Sequence, residues 1–372
     1  MKLLPVSIFS THRHRGFGLV EIMVGLVIGM LAAVVMLQVF ALSEERKRTT
    51  TGGGDALTNG AITFHQLQRD ISQAGYGFVA LGLLNCNIRW PVASGANIAT
   101  AVRLAPVTIN PPNAVIPAGD PNTDTLLLMY GNADGQPQGN IIMGQTGSFY
   151  RVQMASAFSV NDRVIASPAA CAGDLLIDQV TGLGNAVVPG VSVATGAAGS
   201  TALYNLGNGP TISAYAIRNG NLTVCNYLVN DCGLAASVND ASIWMPVANN
   251  IVSMRALYAH DIDVPMDGYA EDAAGFDQTT PTTNCGWMRT PAVHLAITAR
   301  NSQFNKEVVT KTGEGGNAPS WQWEAAASLV GANGALGPDA AADEPWKHYR
   351  YKVFQSLIPI RNVALVAPSS TC

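Results

Sequence analysis

Charge is scarce in this chain. Lys, Arg, Asp and Glu together make up 12% of the residues, and no basic block occurs beyond a short cluster near the start. A nucleic-acid partner is therefore not expected, because phosphate binding needs a dense Lys/Arg surface. Also missing are G-x-x-x-x-G-K-[ST], G-x-S-x-G and H-E-x-x-H, which removes the commonest nucleotide, hydrolase and zinc-protease signatures. None of the six cysteines sits in a C-x-x-C pair, so the usual zinc and thioredoxin-type readings fall away. The run His260-Asp261-Ile262-Asp263 with Asp267-Gly268 lacks the oxygen ladder and closing Glu of a calcium loop, and it reads as a solvated turn. No metal, no cofactor and no enzymatic activity are expected. The 37 glycines and 20 prolines suit a loop-rich exported protein, and six well-separated cysteines suit disulfides in an oxidising compartment.

The chain does have one long apolar run near its start. From Phe17 to Leu42 the only strongly polar residues are Glu21 and Gln38, and about 20 apolar residues are enough to cross a hydrocarbon core. The preceding His12-Arg13-His14-Arg15 favours a cytoplasmic N-terminus with the remainder outside. The mixed run Glu44-Glu45-Arg46-Lys47-Arg48 opposes this orientation only weakly. A secretory signal cut after Ala41 is the plain alternative, but the apolar run exceeds an ordinary signal core and a carboxylate stands near its cytoplasmic end. An uncleaved anchor leaves Glu21 as an unexplained cost. An acid inside a membrane is unfavourable unless it finds a partner or reaches the interface, so Glu21 is a functional residue by default.

Helical periodicity continues past the span. Leu57, Ala61, Phe64, Leu67, Ile71 and Ala74 recur at three- and four-residue spacing and predict one apolar stripe, with Arg69 and Asp70 off it. Gly52-Gly53-Gly54 predicts a kink or break, and Gly75 predicts the helix end. Beyond residue 76 the pattern turns to strands: 125–130, 149–154, 163–167, 175–180, 212–218, 222–228, 251–259, 292–300 and 350–359. The Gly-, Ala-, Asn- and Pro-rich stretches 91–123, 181–210, 262–290 and 311–345 are expected as long loops. Trp321 and Trp323, in one such stretch, are candidates for contacting another protein; Trp346, Tyr349 and Tyr351 read as core. His65 and His294 are isolated and read as structural. Among the cysteines, the short loop between Cys225 and Cys232 is the easiest closure, although spacing alone does not choose a pairing.

Gly16, Phe17 and Glu21 together resemble the processing site of type IV prepilins. By that resemblance a prepilin peptidase cuts between Gly16 and Phe17 and methylates the new amino group. Glu21 lies one helical turn from Phe17 on the same face. It can offset that amine, or pair with the amine of a neighbouring subunit and so set axial register. Gly18 departs from the Thr often found there in pilins. Loss of residues 1–16 removes Lys2, Arg13 and Arg15 and no acid, so the remainder is more acidic than the formal charge of −4.

Later segments are similar to PilW-type minor pilins: 66–76 to the helix end, 250–258 and 293–300 to later strands, and 349–355 with 358–362 to the C-terminal region. The resemblance implies an α+β, pilin-like fold in which a long N-terminal α-helix packs on a β-rich, mainly antiparallel head with long loops. It divides the chain into a leader (1–16), a helix (17–75) with its transmembrane part at 17–42, and a periplasmic or extracellular head (76–372). It further implies a single pass through the inner membrane, followed by a place in the pilus at its tip. The implied partners are prepilin peptidase, other minor pilins, the major pilin and a large tip adhesin, and the implied role is priming assembly. A minor pseudopilin of type II secretion shares the same physics with different partners. A membrane-tethered periplasmic enzyme is the rival of another kind, and the absence of a catalytic constellation stands against it.

Overall fold

The computed structural model describes residues 18–78, 83–92, 95–132, 139–171, 173–185, 187–270, 275–311, 319, 344–364 and 372. They fall into two compact units, Met1–Gly52 and Gly53–Cys372. A single helix, α1 (Leu19–Gln73), begins in the first unit and ends in the second. The break expected at Gly52–Gly54 does not form, and the backbone is helical through all three glycines. Each glycine costs only about 1 kcal/mol relative to Ala, and a helix already nucleated on both sides propagates through such a cost. The boundary between the units still falls between Gly52 and Gly53.

Within the first unit every described side chain is exposed. The segment Leu19–Glu44 is long and apolar enough to cross a membrane.

In the second unit α1 is followed by β1 (Asn87–Arg89), β2 (Val102–Arg103), β3 (Val107–Ile109), β4 (Leu126–Tyr130), β5 (Asn140–Thr146), β6 (Phe149–Val152), β7 (Arg163–Pro168), β8 (Asp174–Leu183) and β9 (Val191–Val193). Then come β10 (Ser200–Gly207), β11 (Thr211–Arg218), β12 (Asn221–Asn226), β13 (Met245–Ala248), β14 (Ile251–Ala259), β15 (Phe276–Asp277), α2 (Asn284–Met288), β16 (Ala292–Arg300), β17 (Tyr351–Pro359) and α3 (Arg361–Ala364). The stretches 91–123, 181–210 and 262–290, expected as loops, therefore carry β2, β3, β9, β10, β15 and α2. Their strands are short or rich in Ser, Gly and Ala, and such sequence gives no period-2 apolar signal.

Three sheets form among the described residues. A five-stranded sheet has the order β13-β12-β11-β4-β3, and a four-stranded one has the order β15-β14-β16-β17. All pairings in both are antiparallel. The β11–β12 hairpin turns on Asn219-Gly220, both at positive φ, as the type I′ geometry that matches strand twist requires. The Asp120 carboxylate accepts both turn N–H groups, at 2.9 and 2.7 Å. Tyr258 on β14 joins the two sheets: its hydroxyl accepts from Ile109 N and donates to Val107 O. That one side chain satisfies two backbone groups on the edge strand β3.

The third sheet has the order β2-β1-β8-β7-β10-β5-β6-β9, with an additional pairing of β8 to β9. That pairing closes β5, β6, β9, β8, β7 and β10 into a small barrel, antiparallel at every step. Closure removes the free strand edges that invite association. The barrel has its own core, in which Tyr150, Val152, Phe158, Val164, Val180 and Leu203 are buried together. It lies in sequence between β4 and β11, which pair directly from Tyr130↔Thr211 to Leu126↔Tyr215. The barrel is thus an insertion between two hairpin partners.

Three disulfides fasten the second unit: Cys86–Cys171, Cys225–Cys232 and Cys285–Cys372. The first joins the approach to β1 to the approach to β8. The second closes the segment after β12, and the third ties α2 to residue 372.

Candidate functional site at the stem and head

Glu21 lies in the first turn of α1, its N–H bonded to Gly18 O at 3.0 Å. It is exposed along the apolar segment. An acid in the first helical turn stands at the positive end of the helix dipole. Gly16 and Phe17 lie outside the described residues, as do Trp321 and Trp323.

From Ala56 onward the helix packs against the rest of the second unit. Its buried side is Ala56, Gly60, Thr63, Leu67, Asp70 and Ile71, followed by Ala74. Leu57 and Ala61, expected on the apolar stripe, face outward. The reason is Gly60, where a Cβ would collide with the Phe354 ring and Ala299; the helix approaches the sheet along its glycine. Phe64 stacks on Phe354 with ring centroids 6.4 Å apart.

Asp70, expected off the stripe, is 4% exposed. The Tyr215 hydroxyl of β11 donates to its Oδ2 at 2.8 Å, and Tyr130 of β4 approaches Oδ1 at 3.4 Å. The exposed Arg69 lies 3.5 Å from Oδ1. Burial first, and then the Asp70 charge, push the Tyr215 phenol far above its ordinary range, so it stays a donor. No periodicity rule finds this residue; Asp on a helix defaults to the solvent face, and the two tyrosines together with Arg69 make burial tolerable. The helix C-terminus is fixed in turn by Asn362, whose Nδ2 donates to Gln73 O and Ala74 O, both at 3.0 Å. Gly75 adopts φ +86°, a conformation that suits glycine at a helix end, and donates its N–H to Met129 O at 2.8 Å.

A cleft of about 530 Å³ lies beside His260, lined also by Asp277, Thr283 and Arg289. Its polar groups are committed to structure. His260 Nδ1 meets Thr290 Oγ1 at 3.0 Å and Nε2 meets Asp277 Oδ1 at 3.2 Å. The Thr290 hydroxyl donates to Gly286 O at 2.7 Å and is fully buried, so it is not a nucleophile. Asp261 accepts the N–H groups of Asp263 and Gly268, which makes 260–268 a self-capped turn. Among the described residues no group of His, Cys, Asp and Glu has the arrangement of a metal site.

The other aromatic candidates are structural. Trp346 is buried, and Tyr351 donates its hydroxyl to Trp346 O at 3.0 Å. Tyr349 carries the Arg300 guanidinium 4.6 Å above its ring. His294 is buried against Phe276, whereas His65 is exposed on the helix.

Residues 11–37 match the prokaryotic N-terminal methylation motif, and residues 215–362 match the family of type IV pilus-assembly protein W, PilW. The chain carries a PilW-family region behind an N-terminal methylation motif. Comparison with curated proteins and with solved structures gives no match. The PilW match begins inside β11 and ends in α3, so it takes in the whole four-stranded sheet, while the inserted barrel precedes it. PilW-type pilins are structural proteins and not enzymes, and the apolar N-terminal helix fits a membrane-anchored pilin.

Proposed function

We propose that this PilW-type chain is a minor subunit of a type IV pilus with a pilin-like fold, in which residues 17–75 form the stem and 76–372 the head. A prepilin peptidase removes residues 1–16 and methylates Phe17. The mature amine then pairs with Glu21 of the same or a neighbouring subunit, which offsets the acid in the membrane and sets axial register as the fibre grows. The subunit waits in the inner membrane with its head in the periplasm. It joins other minor pilins in a complex that primes polymerisation by the major pilin, and it remains at the tip, where it presents a large adhesin.

The observation that carries this reading is the coincidence, in one chain, of the methylation motif around Glu21 and the PilW match in the head. Intact-mass analysis of the chain made with and without prepilin peptidase tests it. A mature start at methylated Phe17 is expected, with Glu21→Ala inserting normally but assembling poorly. A chain in working fibres that starts at Leu42 or keeps Met1 overturns it.

A further inference from the structure

We infer that the cleft beside β2 is a docking groove for an extended segment of a partner protein that carries a carboxylate side chain. β2 is an edge strand, paired on one side only, to β1. Leu104, just after it, bonds back toward that side: its N–H reaches Cys86 O at 2.8 Å, and its carbonyl accepts from Asn85 N at 2.9 Å. Main-chain groups alternate in direction along an antiparallel strand. Val102 therefore faces β1 as Leu104 does, and the N–H and C=O groups of Ala101 and Arg103 face outward. On β3 the fold covers such an edge, where the Tyr258 hydroxyl takes Ile109 N and Val107 O. At β2 a cleft of about 310 Å³ adjoins the edge instead, with Ala101 and Arg103 in its lining. A free strand edge pairs with an added strand through main-chain hydrogen bonds, and adjoining side-chain pockets select its sequence.

Much of the remaining lining is apolar and held in shape. Pro111, Pro112, Val115 and Leu127 contribute to it; Val115 N bonds Pro112 O at 2.7 Å, and the Tyr227 hydroxyl donates to Val115 O. A wall fixed in advance loses little entropy on binding. Charge selects the occupant. Arg103 is exposed, is the one charged residue in the lining among the described residues, and makes no side-chain hydrogen bond or ion pair with any of them. The neighbouring charges are engaged: Arg89 pairs with Asp174 at 2.6 Å, Asp231 accepts Ala99 N–H at 2.8 Å, and buried Asp124 meets Arg255 at 3.3 Å. Glu271 and Asp272 lie outside the described residues. A guanidinium binds a carboxylate through charge-assisted, often paired hydrogen bonds. A free small anion would meet Arg103 and leave the outward main-chain groups unpaired, whereas an extended acidic peptide meets both.

The test is selection of a displayed random heptapeptide library on the detergent-solubilised full chain, followed by calorimetric titration of the enriched peptides, made with blocked ends. Enriched peptides should share one Asp or Glu flanked by residues that favour extended backbone. Arg103→Gln should weaken their binding about tenfold or more, with the melting transition unchanged because the side chain is exposed. Arg103→Glu should recover affinity for a peptide with Lys in place of its acid. N-methylation at alternate peptide residues should abolish binding in one register and spare it in the other, as strand addition requires. Failure to enrich any sequence, enriched peptides without an acid, equal affinity for Arg103→Gln, or indifference to N-methylation in both registers overturns the inference. It stands apart from the pilus assignment: a partner outside any fibre satisfies it, and processing at Phe17 does not bear on it.

Discussion

Asp70 and Tyr215 form a buried pair in which each satisfies the other. Tyr215→Phe leaves a buried carboxylate without its shortest hydrogen bond and should cost about 1–3 kcal/mol; equal urea midpoints for variant and parent would remove this role. A second residue-scale outcome concerns His294. Its pKa is lowered from 6.5 to about 4 by burial, so between those values the unfolded chain binds a proton that the folded chain refuses. Stability from this group is full above pH 6.5 and is lost as pH falls toward 4, by up to about 3 kcal/mol. Melting curves between pH 7 and 4 should fall more steeply for the parent than for His294→Leu, and parallel curves would contradict the assignment. The residue types at these positions were plain in the sequence but their burial was not, because burial of a polar group depends on a partner that is distant along the chain: Tyr215 is 145 residues from Asp70.

At the scale of elements, the helix is held by a close approach at Gly60 and a cap at Asn362. Gly60→Leu forces a side chain into Phe354 and Ala299 and should destabilise by about 1–3 kcal/mol. Asn362→Ala frees two helix carbonyls at a cost of about 1 kcal/mol. Thermal unfolding of the detergent-solubilised chain measures both, and a larger effect at Asn362 than at Gly60 would invert the expected order. Much at this scale was legible. The strands at 251–259 and 292–300 have the bounds their β-branched and apolar runs predict. By contrast β10, Ser-Thr-Ala-Leu-Tyr-Asn-Leu-Gly, looks like loop and becomes a strand because β7 and β5 pair with it on both sides. The stripe on α1 was legible in its period and misplaced by one position at its upper end, since a glycine contact sets the facing and the hydrophobic count does not.

At the scale of the whole molecule, the two pairings of cysteines far apart in sequence matter most. Cys86–Cys171 and Cys285–Cys372 each close more than 80 residues, and such a crosslink stabilises chiefly by restricting the unfolded chain, typically by about 2–4 kcal/mol. Cys86→Ser with Cys171→Ser should lower the melting temperature more than Cys225→Ser with Cys232→Ser, whose loop spans only 7 residues. The reverse order in calorimetry would point to strain relief or residual structure in place of chain entropy. The barrel that the first crosslink restrains sits between β4 and β11 in the chain, and their direct pairing gives the head a continuous sheet across the insertion.

By itself the sequence determined the apolar N-terminal helix, the acid at position 21, the order of the stronger strands and the motif that places the chain among pilins. Each of these is a local property of composition, period or spacing. Only the tertiary structure decided which cysteines join, that six strands close into a barrel, and that Asp70 is buried. Each of those depends on groups brought together from distant parts of the chain, where partner identity and register set the energy and no local pattern records them.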